Sequence, residues 1–124
     1  MNLSYPKKEK LKSKKRIEQL FIEGKSITSF PLKLIYLETT LPDEIKIQTG
    51  VAVSKKRFKN AVKRNRVKRL LRESYRLNKF IVTDNTDSSY AFLILYIGKK
   101  MPTYTVIEKQ LRLLLEKFNT KTNA

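Results

Sequence analysis

The sequence predicts an α/β (α+β) sandwich: a small mixed sheet of three to four strands packed with three helices, in the order α-β-β-(β)-α-β-α. Apolar residues recur at helical spacing in three segments, alternate with polar residues in two others, and run almost unbroken through residues 89–97. No linker or internal repeat divides the 124 residues. We therefore expect one domain, 1–124, with a basic N-terminal tail (1–12) and a flexible C-terminal end (119–124).

The first predicted element is a helix from about Ser13 to Glu23. Ile17, Leu20 and Phe21 form its apolar stripe. Gly24 follows directly and is a natural end for a helix. This helix should therefore pack one narrow face against the rest of the domain.

Two strands joined by a turn are predicted next. Residues 30–39 alternate as a strand does, and residues 25–29 supply a short edge strand. Pro31 is tolerated only at an edge or bulged position, because proline donates no backbone hydrogen bond. Residues 41–44 contain proline and aspartate and form a turn.

The strand predicted over residues 45–54 has one apolar and one small or polar face. The apolar face carries Ile45, Ile47, Val51 and Val53, and the other carries Lys46, Gln48, Gly50, Ala52 and Ser54. Side chains this small cannot fill the second face by themselves. It is therefore either plain solvent-exposed surface or the floor of a shallow groove, and the residue pattern leaves both open.

A buried strand and a long helix complete the chain. Residues 89–97 are apolar at nearly every position, as expected for a strand covered on both faces. Residues 103–118 have apolar side chains at helical spacing and predict a helix. Either Thr103 or Thr105 caps it, and Thr105 with Glu108 matches a capping box.

The central helix, from its N-cap Asn60 to about Asn78, carries cations opposite its apolar stripe. The stripe consists of Val67, Leu70, Leu71, Ser74 and Leu77, and the opposite line consists of Asn65, Arg69, Arg72 and Arg76. Like charges at these spacings destabilise a helix, and cations near its N-terminus oppose the macrodipole. The arrangement is unfavourable for helix stability but suits the binding of phosphates.

The positive charge of the chain is concentrated in two stretches. Lysine and arginine number 28 against 11 acidic residues, a net charge of +17. Residues 55–79 hold twelve of these cations with one acid, and residues 7–16 hold seven with one acid. Such blocks, in a chain with 40% hydrophobic residues, indicate a folded domain whose partner is a polyanion.

Several classes of function are excluded by composition. The chain has no cysteine and no histidine, so it can form neither a disulfide framework, nor a thiolate or histidine zinc site, nor a Ser-His-Asp triad. Asp43, Glu44, Asp84 and Asp87 lie in turn-like segments without a pairing pattern, so hydrolysis by the protein itself is not expected. No apolar run approaches the roughly 20 residues of a membrane span, and the basic N-terminus, which no apolar stretch follows, is not expected to be a secretory signal. We expect a cytoplasmic protein.

The basic motif of the central helix resembles the protein subunit of bacterial ribonuclease P. The resemblance rests on Ser54-Lys-Lys56 at a strand end followed by Asn60-Ala-Val-Lys-Arg-Asn-Arg-Val-Lys-Arg-Leu-Leu-Arg72, with Arg64-Asn65-Arg66 as its core. It extends to the helix order, to Phe21 and Gly24, to Thr49-Gly-Val-Ala-Val53 and to Thr103-Tyr104. The segment Arg57–Lys59 is longer than usual, Ile17 replaces a residue that is often aromatic, and Tyr36 is one residue out of step with the family's cleft aromatic.

This resemblance implies a ribonucleoprotein that removes the 5′ leader of precursor tRNA, with magnesium bound mainly by the RNA subunit, which carries the chemistry. The implied contacts to the RNA subunit are Lys55, Lys56, Asn60, Lys63, Arg64, Asn65, Arg66, Lys68, Arg69, Arg72 and Arg76. The implied contacts to the leader are Lys12, Ile17, Phe21, Lys33, Tyr36, Gly50, Ala52 and Ser54. Phe21 is equally well explained as a core residue, and Tyr36 as a core residue whose hydroxyl meets water.

Two other classes of binding protein share parts of this pattern. A ribosomal or other structural RNA-binding protein would have the same size and charge, but would not need the small-residue sheet face. A DNA-binding module agrees less well, because base-reading Asn and Gln are sparse and no dimer seam is evident. We therefore expect neither DNA nor a membrane among the partners.

Overall fold

The computed structural model describes residues 3–122 and contains one four-stranded sheet with helices on both faces. The helices are α1 (Lys14–Glu23), α2 (Ala61–Asn78), α3 (Phe80–Thr83) and α4 (Tyr104–Thr122), and the strands are β1 (Lys25–Ser29), β2 (Leu32–Glu38), β3 (Ile47–Val53) and β4 (Tyr90–Tyr96). The sheet order is β1-β2-β4-β3, in which only β3 and β4 run parallel. The predicted mixed sheet and element order are confirmed, and the short α3 is additional.

The main core lies between the sheet and the pair α2 and α4. Phe118 of α4 stands edge-on to Phe92 of β4, with ring centroids 4.8 Å apart, and both are fully buried. From α2, Val67 and Leu71 are fully buried as the apolar stripe predicts, and so is Tyr75, which the stripe did not include. Burial of this kind is the main source of stability for so cationic a chain.

Helix α1 packs on the opposite face of the sheet. Leu11, just before the helix, lies over Gly50 of β3, and Gly24 at its end lies against Ile35 of β2. Ile35, Leu93 and Gly50 are register partners across the sheet, so the helix follows this row. Leu20 of α1 is fully buried between the helix and the sheet, in a second, smaller core. The row on one side of α1, through Leu95 and Ala52, is only partly covered, whereas Ala91 on the other side is fully buried.

Side-chain caps set the helix starts. Ser13 accepts a hydrogen bond from the amide of Arg16 at 3.3 Å, and Thr103 accepts one from the amide of Val106 at 3.3 Å. The alternative capping box at Thr105 is wrong, because the helix already starts at Tyr104. The Glu108 carboxylate instead accepts a hydrogen bond from the Tyr104 hydroxyl.

Both ends of the described chain contain helical structure. Residues 3–12 include a 3₁₀ turn at Lys7–Glu9 and a buried Leu11. Residues 119–122 belong to α4, and the Asn119 amide donates to the carbonyl of Ile81 at 2.7 Å. Residues 1, 2, 123 and 124 lie outside the described part.

Candidate nucleic-acid interface

The exposed side of α2 presents unpaired cations to solvent. Arg66, Arg69 and Arg72 are exposed, and none forms an ion pair or a side-chain hydrogen bond with another residue of the described chain. Lys63 and Asn65 are also exposed, and Lys68 is half-buried. No acidic side chain among residues 3–122 pairs with these arginines, so the face is open to an external anion.

Arg76, the last residue of the predicted cationic line, is partly engaged. Its guanidinium pairs with the Glu73 carboxylate at 2.6 Å and donates to the carbonyl of Leu3 at 3.0 Å. The hydrogen bond from Arg76 lowers the pKa of Glu73, so this carboxylate is ionised at neutral pH. Glu73 therefore places one negative charge inside an otherwise positive surface.

Two residues predicted to contact RNA also hold the start of α2. The Asn60 side chain caps the helix by accepting from the amides of Val62 at 2.8 Å and Lys63 at 3.3 Å. The Arg64 guanidinium donates to the carbonyls of Phe58 and Lys59, at 2.7 and 2.9 Å. Asn60 and Arg64 thus fix the geometry of the loop that precedes the helix.

The loop between β3 and α2, residues 54–59, is pinned by an aromatic side chain. Phe58 is buried, with its ring centroid 5.9 Å from that of Tyr96. At the start of the loop, the Ser54 hydroxyl accepts a hydrogen bond from the amide of Lys56 at 3.1 Å. Lys55 and Lys56 are exposed. Phe58 was not foreseen as a core residue, although a single aromatic in a basic loop is a usable signal of burial.

The small face of β3 lies on the α1 side of the sheet, beside the row that α1 covers. Lys33 of β2, Leu95 of β4 and Ala52 of β3 are register partners and form the next row. All three are half-buried, and the strand ends at Val53, which the exposed Ser54 follows. This half-buried row beside α1 has the exposure expected of a groove floor, which favours the groove over the plain-surface interpretation.

One flank of α1 forms a wall of this groove. At 100° per residue, Arg16 and Phe21 lie on opposite flanks of the stripe that Ile17 and Leu20 press onto the sheet. The Arg16 guanidinium donates to the Thr39 hydroxyl at 3.0 Å, so its flank faces away from Lys33. Phe21, 59% exposed, is on the flank towards the groove. Its ring is solvent-accessible and not part of the core.

The groove and the cationic face of α2 meet at Gly50. A small cleft of about 120 Å³ is lined there by Lys12 before α1, Ile17 of α1 and Arg72 of α2. Leu11 covers part of it, because a Cβ on Gly50 would lie 3.2 Å from the Leu11 carbonyl oxygen. Gly50 is therefore needed for the close approach of Leu11, and the floor is fully open only further along, at Ala52.

Tyr36 does not belong to this site. Its side chain is on the other face of the sheet, where it is 6% exposed and its ring lies 5.1 Å from that of Phe118. Burial raises the pKa of its hydroxyl. The prediction of a leader contact at Tyr36 is wrong because side chains alternate along a strand, and Ile35 and Leu37 are the β2 residues that face α1.

Comparison with known proteins identifies the family. The family model for ribonuclease P matches residues 5–119. The chain belongs to the ribonuclease P protein family. The ribonuclease P protein component of Porphyromonas gingivalis W83 is 36% identical over 114 residues, which cover 86% of this chain and 80% of that protein. That of Chlorobium phaeobacteroides is 34% identical over 125 residues, covering 90% and 86%.

Solved structures of family members share the fold. The ribonuclease P protein of Staphylococcus aureus aligns with a TM-score of 0.70 at 22% identity, covering 89% of this chain and 94% of that one. The protein from Thermotoga maritima aligns with a TM-score of 0.71 at 20% identity, covering 87% and 96%. The chain is thus the protein component of the ribonuclease P ribonucleoprotein, which processes tRNA, and the alternative of a ribosomal or structural RNA-binding protein is not supported.

Residues 3–122 contain neither a cluster of metal-ligating side chains nor a helix suited to cross a membrane. No three Asp, Glu, His or Cys side chains come together there as a metal site would require. None of the helices is both long and apolar enough to cross a bilayer.

Proposed function

We propose that this protein binds two RNAs at once: the catalytic RNA through the cations of α2 and its preceding loop, and the 5′ leader of precursor tRNA through the groove beside α1. The observation that supports this most directly is the cleft at Gly50, where Arg72 of α2 and Lys12 of the groove line one surface. A catalytic RNA bound to α2 is therefore adjacent to a single-stranded leader bound in the groove.

The proposed contacts to the catalytic RNA divide by role. The free cations make phosphate contacts, and they are Lys55, Lys56, Lys63, Arg66, Lys68, Arg69 and Arg72, with Asn65 beside them. Asn60 and Arg64 shape the surface by capping α2 and closing its loop. Arg76 contributes less, because Glu73 already neutralises it. Arginine forks suit phosphate oxygens, and such contacts position an RNA without reading its sequence.

The proposed leader groove combines an aromatic ring with cations. Phe21 is the candidate stacking platform, Ile17 the apolar wall, and Ala52 with Leu95 the floor. Lys12 and Lys33 lie at its edges for phosphate contact, and Ser54 at its end. Stacking tolerates any base, as a protein that accepts many leaders requires.

The chemistry of leader removal is assigned to the RNA with its magnesium ions. The protein contributes electrostatics, since +17 of net charge reduces the repulsion between catalytic RNA and precursor. With the acids of residues 3–122 dispersed, we assign no step to a metal held by protein side chains. Because its substrates are cellular RNAs, we place this activity in the cytoplasm.

The deciding experiment measures leader cleavage of a precursor tRNA by a bacterial catalytic RNA at low magnesium, with and without the protein. We expect the protein to raise the cleavage rate and to increase affinity for the precursor more than for mature tRNA. Arg66→Ala should weaken assembly, whereas Arg112→Ala, an exposed arginine on α4, is the matched control. If the protein increased the affinity for precursor and mature tRNA equally, the leader groove would be excluded. The proposed binding of catalytic RNA by α2 would still stand.

A further inference from the structure

A buried lysine at the C-terminal end of α2, Lys79, holds the N-terminal segment, residues 3–12, which we name the strap. Lys79 is 5% exposed, and its ammonium group donates to the Ser4 carbonyl and to the Glu9 carboxylate, the latter at 2.8 Å. Both acceptors belong to the strap. Burying an ammonium group costs free energy unless the group is paired. The hydrogen bonds to Ser4 and Glu9 therefore fix the strap as well as the lysine.

Further contacts seat the strap between α2 and the edge strand β3. The Tyr5 ring packs edge-on against Tyr75 of α2, with centroids 5.6 Å apart, and its hydroxyl donates to the Thr49 carbonyl. The amide of Leu11 donates to the same carbonyl at 3.0 Å, and Lys10 is a parallel bridge partner of Thr49. The strap thus adds one short rung to the otherwise open edge of β3.

The seated strap leads directly into the groove. Leu11 lies over Gly50 and narrows the cleft there, and Lys10 and Lys12 line it opposite Arg72. Lys10 is itself held, with its ammonium group 5.4 Å from the centre of the Tyr5 ring. The position of Lys10 therefore depends on Tyr5, and Lys12 directly follows Leu11, whose amide is bonded to the Thr49 carbonyl.

We propose that Lys79 is a positioning residue. By holding the strap through Ser4 and Glu9, it places Lys12 at the groove, where the ammonium group of Lys12 contacts a phosphate of the RNA leader. This inference rests on the leader groove proposed above. Lys79 itself touches no RNA, since it is buried. Its effect on leader affinity passes through Lys12 and disappears when Lys12 has no charge.

The test compares Lys79→Met, which keeps the length of the side chain without its charge, with Lys46→Met. Lys46 lines the same cavity as Lys79, but its ammonium group donates to Thr83 and not to the strap, so it controls for the loss of one charge. Amide hydrogen exchange reports the latch directly. The Leu11 amide should exchange at least about tenfold faster in Lys79→Met than in the wild type or Lys46→Met. Unchanged exchange at Leu11 would overturn the latch.

Binding to the holoenzyme tests the functional half, with a leader-bearing precursor and mature tRNA as probes. Lys12→Ala and Lys79→Met should each weaken precursor binding about fivefold, the scale of one exposed charged contact, and leave mature tRNA unaffected. The double variant should be no weaker than either single one, because both act through one contact. Additive losses, or equal losses for mature tRNA, would show that Lys79 is only structural.

Failure of the leader groove itself is distinguishable from failure of this inference. If the wild-type holoenzyme binds precursor and mature tRNA equally, the groove proposal fails before any variant is made. If the wild type discriminates and Lys12→Ala reduces discrimination while Lys79→Met does not, the positioning role alone is refuted. Thermal unfolding of each variant confirms that the compared proteins are folded.

Discussion

Gly50 of β3 and Leu11 of the strap are in such close contact that a Cβ on Gly50 would lie 3.2 Å from the Leu11 carbonyl oxygen and 3.4 Å from its Cβ. The glycine therefore allows the strap to cover the edge strand at this point. Gly50 and Ala52, which are equivalent in the alternating pattern of the sequence, are thus different: Gly50 is under the strap, whereas Ala52 is in the proposed groove.

Gly50→Val and Ala52→Leu should consequently have different effects. We expect Gly50→Val to displace Leu11 and lower stability by about 1–3 kcal/mol, the usual cost of overpacking. Ala52→Leu fills the groove floor, so it should weaken binding of leader-bearing precursor up to about a hundredfold while stability and affinity for the catalytic RNA persist. Thermal unfolding and binding titrations measure both, with Ala52→Ser as the conservative control. An Ala52→Leu variant with normal precursor affinity would contradict the groove.

Arg64→Ala and Arg66→Ala form a matched pair within one turn of α2. Arg64 is bonded to two loop carbonyls, so its loss should destabilise the protein by about 1–3 kcal/mol. Arg66 is exposed, so its loss should change stability by no more than about 0.5 kcal/mol but weaken binding to the catalytic RNA. Denaturant unfolding and RNA titration separate the two effects. A large fall in stability for Arg66→Ala would show that this arginine is structural.

Binding to the catalytic RNA should depend steeply on salt. Each neutralised phosphate contributes a slope of about −0.9 in duplex or −0.7 in single-stranded RNA to the dependence of log affinity on log salt. With the seven cations proposed above as phosphate contacts, a slope of roughly −5 is expected. Titrations from low to moderate salt provide the measurement. An almost flat dependence is incompatible with phosphate contacts.

Glu73→Gln should strengthen binding to the catalytic RNA. The substitution removes the negative charge that now pairs with Arg76 and frees this guanidinium for phosphate. Because Arg76 lowers the pKa of Glu73, the carboxylate is charged throughout the neutral range. The gain should therefore be constant between about pH 6 and 8 and shrink only at acidic pH, where protonation neutralises Glu73 in the wild type. Affinities across this pH range check the prediction, and a weaker variant would mean that the pair orders the RNA-binding face.

Phe21→Ala and Tyr36→Ala test which aromatic side chain meets the leader. Phe21 is exposed, so its truncation should leave stability nearly unchanged and cost about 1–3 kcal/mol of leader binding. Tyr36 is in the main core, and its truncation should cost about 3–5 kcal/mol of stability, as for other buried aromatics. Ile22→Ala, an exposed neighbour on α1, is the control. Undiminished precursor binding by Phe21→Ala would exclude stacking on this ring.

The sequence by itself determined the elements and the charge. Helix α2 was predictable because Asn60 is a good cap and its apolar stripe has helical spacing, and both signals involve residues near each other in the chain. The cationic line of α2 follows from the same spacing. The small face of β3 was visible for a similar reason, since alternation along a strand is a local property.

Only the tertiary structure decided how these elements are used. Which face of β2 meets α1 depends on the pairing of β2 with β4, and this pairing puts Tyr36 in the core. The engagement of Arg64 depends on a loop fold anchored by Phe58. The strap is the clearest case, because Lys79 and its acceptor Glu9 are 70 residues apart in the chain. In the sequence, Lys79 cannot be distinguished from the other lysines of the basic segment. Long-range packing buries it and gives it two hydrogen-bond acceptors.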